Sequence, residues 1–61
     1  MNLNEQIEQA IKVAENEITI NSFKGYRMTN YFIRRNIELV RLDPIKHGEQ
    51  FCSMYKTSHG E

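Results

Sequence analysis

The chain has 61 residues, with eight basic and eight acidic side chains and no formal net charge. That length bounds it to one domain, and the even balance counts against a dedicated nucleic-acid binder, whose total is usually basic. One cysteine, Cys52, excludes an internal disulfide, and no stretch approaches the ~18 apolar residues of a membrane span.

The opening MNLNEQIEQ is polar from its second residue and lacks an apolar core, so it does not read as a signal peptide. A cytoplasmic protein is expected, complete from Met1. Residues 3–15 carry Leu3, Ile7, Ala10, Ile11 and Ala14 at helical spacing. Asn2 is placed to cap this helix, with Glu5 three residues on, and Asn16 is expected to end it.

Next comes EITINSF, residues 17–23. Its alternation and β-branched side chains predict a strand with Ile18, Ile20 and Phe23 facing inwards. Lys24-Gly25 supplies a turn, because glycine accepts a positive φ. YRMTNYFIRRN, residues 26–36, follows; composition favours strand over its residues 26–33, with Phe32 and Ile33 in the core. DPIKHG, 43–48, reads as a loop, and EQFCSMYK, 49–56, as a last strand with Phe51 and Tyr55 on one side. The expected fold is α+β: an N-terminal helix packed on a three- to four-stranded antiparallel sheet. The alternative is αβα, with residues 29–42 helical. The domain is expected to span 1–56, with 57–61 as a frayed tail.

Charge is unevenly laid out. Residues 1–23 hold four glutamates against one lysine, whereas 24–47 hold six basic residues against two acidic ones. The basic middle contains the aromatic cluster, and Arg with Tyr is the pairing typical of interface hot spots. Basic grooves with rings also bind single strands. Exposure of Tyr26, Tyr31 and Phe32 on one basic face would favour nucleic acid; their burial would favour a protein partner.

Other chemistry is thin. Asp43, His47, Cys52 and His59 are zinc-ligand types, but they form no C-x-x-C or H-x-x-x-H pair. Cys52 and His47 lack an orienting third group, and the three glycines form no phosphate loop. No enzyme activity, metal or cofactor is expected. The expectation is a small interaction protein, a modulator or inhibitor of a larger protein, binding through Arg27, Tyr31, Arg34, Arg35 and Arg41. A small RNA- or DNA-binding module using the same residues is the alternative. Homo-oligomerisation is a further way for so short a chain to gain buried area.

Overall fold

The computed structural model describes residues 2–55 and is built of three helices in chain order: α1 (Leu3–Lys24), α2 (Arg27–Leu42) and α3 (Pro44–Met54). Each helix packs on the other two. The longest dimension, 34 Å, is close to the ~33 Å expected of the 22-residue α1 at about 1.5 Å per residue.

Among the described residues there is no strand, so the expected α+β fold is wrong, and so are the sheets of the αβα alternative. Residues 29–42 lie inside α2. Residues 17–23 continue α1, and 43–54 form the cap and body of α3. The expected domain end at 56 and tail at 57–61 fall outside the described residues.

The reason lies in a repeat longer than the local alternation. Ile7, Ile11, Ala14 and Ile18 follow one another at intervals of four, three and four, so the helical seam runs straight through the supposed strand. Burial follows that seam. Ile7, Ile11 and Ala14 are buried and Ile18 packs against them, whereas Ile20 is exposed and Phe23 is 90% exposed. Strand preference mostly expresses packing on a sheet. With no sheet to pack on, β-branched residues remain in the helix at a modest cost in propensity.

The same spacing recurs in α2, through Asn30, Ile33, Ile37 and Val40, and in α3 with its C-cap, through Gly48, Phe51 and Tyr55. These three seams meet in one core, in which Ala14 and Val40 are fully buried. Phe51 and Tyr55 close its end with ring centroids 4.8 Å apart. Small residues set the helix spacing. A Cβ built at Gly48 would stand only 2.8 Å from Cδ1 of Ile7, so a larger side chain there would have to push that methyl aside.

The junctions are specified locally. At the start of α1, the Asn2 side chain accepts from the Glu5 N–H at 2.8 Å. At its end, Gly25 takes a left-handed conformation with φ 81°. Tyr26 N–H donates to Asn21 O and Gly25 N–H to Ser22 O, which is the Schellman arrangement. A single residue, Asp43, joins α2 to α3. Its N–H donates to Leu39 O, its carboxylate accepts from Lys46 N–H, and Pro44 begins the new helix. Proline at the first helical position is favourable, and it keeps the preceding residue out of helical conformation. The DPIKHG segment is therefore a helix start, its proline acting as an initiator.

Candidate functional site

The sequence-selected residues all lie on α2. Each helical residue turns by about 100°. The inward direction is taken by Ile33, Ile37 and Val40, so Tyr31, Arg35 and Leu42 point away from the core, with Met28 and Phe32 to one side and Arg27 and Arg34 to the other. Phe32 was expected in the core and instead is 60% exposed; Ile33 is buried. Tyr26 and Tyr31 are 53% and 59% exposed. The phase of the helix explains the change: α2 buries the row Asn30, Ile33, Ile37 and Val40, and Phe32 lies off that row, about 100° round from Ile33.

All three rings are thus exposed, the outcome expected to favour nucleic acid, but Tyr31 and Phe32 point about 100° apart and do not share one basic face. Arg27, Tyr31 and Arg34 come together with Tyr26, Ser22 and Asn30 around a cleft of about 530 Å³ beside the Gly25 turn. Arg34 also borders a shallower groove of about 370 Å³, shared with Arg41, Glu38 and Glu15 of α1. Arg35 stands apart, on the outward side. Among the described residues, none of the four arginines meets a carboxylate within ion-pair distance. Their positive charge is therefore directed at solvent. The start of α2 adds to it, because no side chain caps that end and its first turn holds no acidic residue.

The rings do not form a flat platform. Tyr31 and Phe32 meet edge to face, with centroids 6.0 Å apart and planes at 73°. Tyr26 sits at the turn with the Lys24 ammonium 6.0 Å from its ring centre. Exposed apolar groups accompany them: Met28 and Leu42 on α2, and Phe23 at the end of α1.

Asn30 was not singled out in the sequence, yet it is the one buried polar side chain among the described residues. Its amide donates to Ile18 O and to Ser22 Oγ, both at 3.2 Å, tying α2 to the last turns of α1. Its carbonyl oxygen is buried with no donor. A polar residue occupying one position of an otherwise apolar seam is the sequence signal that marks it.

The candidate metal set is not assembled. Asp43 is committed to capping α3, His47 lines a groove between α2 and α3, and Cys52 lines another between α1 and α3. His59 lies outside the described residues. No group of three or more His, Cys, Asp and Glu converges among the described residues. Burial pushes the Cys52 thiol above its ordinary pKa, which keeps it protonated and poorly nucleophilic. No described helix is long and apolar enough to cross a membrane.

No protein-family model, curated protein or solved structure matches the chain.

Proposed function

We propose that this chain is a small non-catalytic docking module that binds a larger protein, as a modulator or inhibitor, through the outward side of α2. The observation that carries this is the surface composition of that helix. Met28, Tyr31, Phe32 and Leu42 are all more than half exposed; Arg35 stands among them, and Arg27, Arg34 and Arg41 flank them on the α1 side, none with a carboxylate at ion-pair distance among the described residues. Protein interfaces are enriched in Tyr, Phe, Met and Arg and depleted in Lys; α2 contains no lysine. Scattered exposed hydrophobics need no explanation, but a contiguous set on one helix does. The arginines favour an acidic partner surface, on which they would form charge-assisted hydrogen bonds.

A second reading, a nucleic-acid-binding module, is favoured by one observation: the three rings are exposed among arginines. Against it stand the edge-to-face ring geometry, the exposed methionine and leucine, which no phosphate backbone would cover, and the zero net charge.

Affinity capture with nuclease-treated host lysate tests the two. The wild type is expected to retain a protein that a Phe32→Ser/Arg34→Glu/Arg35→Glu variant loses. Capture of the same proteins by both would overturn the docking surface. Recovery of nucleic acid alone from untreated lysate, with an affinity falling by about one log unit per log unit of salt for each phosphate contact, would favour the second reading.

A further inference from the structure

Along α2, Met28, Phe32, Arg35, Leu39 and Leu42 follow one another at intervals of four, three, four and three residues. This is the spacing of a helix–helix seam. It is the second seam on the same helix, because Asn30, Ile33, Ile37 and Val40 already form the buried one. The second seam leads into a groove. Leu39 is half-buried there and, with His47, Gln50, Phe51 and Met54, lines a depression of about 270 Å³ between α2 and α3. Met54 is half exposed on the α3 side.

Resting on the docking role proposed above, we infer that the partner supplies a fourth helix, laid along this seam, and that this helix carries one Asp or Glu among its own apolar seam residues, opposite Arg35. Two features point to a helix. The seam has helical periodicity, and a bundle of helices offers no open sheet edge for an extended peptide to join. The acid follows from Arg35. It occupies the middle of an apolar row, is exposed, and meets no carboxylate among the described residues. Covering it with an apolar helix would bury an unpaired charge, which is strongly unfavourable. A facing carboxylate removes that cost and fixes the register, as single polar seam positions do in coiled coils.

A second copy of the chain fits this seam poorly. In a two-fold contact between α2 helices, the centre of the row is Arg35, which would meet its own twin. The outward row of α1 at the same spacing is Glu5, Glu8, Lys12, Glu15 and Thr19, which offers charge but no apolar surface.

The probe is a displayed library of amphipathic helices about three heptads long, with its seam positions randomised, selected on the full chain. Enriched helices are expected to carry one acidic seam residue. Arg35→Glu should weaken their binding at least tenfold, and changing their acid to lysine should restore it. That reciprocal rescue could not arise from a misfolded variant. Enrichment of helices without an acidic seam residue, or no enrichment, would overturn the inference. Capture of a protein that depends on Phe32 and Arg34 but not on Arg35 would leave the docking surface standing while sinking the fourth helix. Concentration-dependent mass in light scattering, abolished by Arg35→Glu, would reassign the seam to self-association and overturn it too.

Discussion

The two seams of α2 have the same spacing and opposite fates. The inward one is buried against Ala10, Ala14 and Phe51, while the outward one leaves Met28, Phe32 and Leu42 in water. Each is interrupted once by a polar group, the inward by Asn30 and the outward by Arg35. A repeat therefore specifies a helix without specifying which of its faces is the core. That is decided by the opposing helices, whose small residues let the inward seam approach closely.

The sharpest way to test this contrast is to place the same charge on both seams. Val40→Asp is expected to unfold the protein, since an unpaired carboxylate would replace a fully buried side chain. Leu42→Asp, only two residues on, should leave the thermal midpoint nearly unchanged. Circular dichroism melts of the pair check both. Truncating the rings repeats the comparison more gently. Phe51→Ala should cost about 3–5 kcal/mol, and Phe32→Ala within about 0.5 kcal/mol; equal losses in urea titrations would show that the outward seam contributes to the fold.

Smaller effects probe the spacing and the turn. Gly48→Leu must displace Ile7 and Leu3, the latter with a methyl 3.4 Å from the added Cβ, and is expected to cost about 1–3 kcal/mol. Gly25→Ala meets no neighbour within 4 Å, so its loss should be the left-handed backbone strain alone, about 1–2 kcal/mol. A larger loss at Gly25 would mean that the turn is crowded as well as strained.

The sequence showed the first half of α1, its Asn2 cap and the Gly25 turn, because each depends on residues within one or two helical turns. It misled wherever a short window satisfied two periods. EITINSF alternates in seven residues, but Ile18 belongs to a row that starts at Ile7, and only the longer row is buried. In DPIKHG, Pro44 reads as a breaker although proline also begins helices, and Asp43 before it is the cap that marks a helix start. The arginines were legible as a cluster, and all four lie on one helix. Which rings stood beside them was not, because Phe32 was expected in the core and only the phase of the helix places it outside while keeping Ile33 in. Asn30 was visible in outline: it is in phase with Ile33, Ile37 and Val40, and only the mistaken strand concealed that.

Asp43 uses its amide, its carboxylate and its carbonyl in joining α2 to α3, the last accepting from the His47 N–H at 3.0 Å. The two helices therefore share one residue's hydrogen bonds and have no slack between their ends. Opening the last turn of α2 also opens the first turn of α3, so the pair should behave as a single cooperative unit. In native-state hydrogen exchange, the amides of Asp43, Lys46 and His47 are expected to exchange together, with one common opening free energy. The Gly25 turn is spanned from both sides as well: Gly25 donates to Ser22 O and accepts from the Arg27 N–H, and Tyr26 donates to Asn21 O and accepts from the Asn30 N–H.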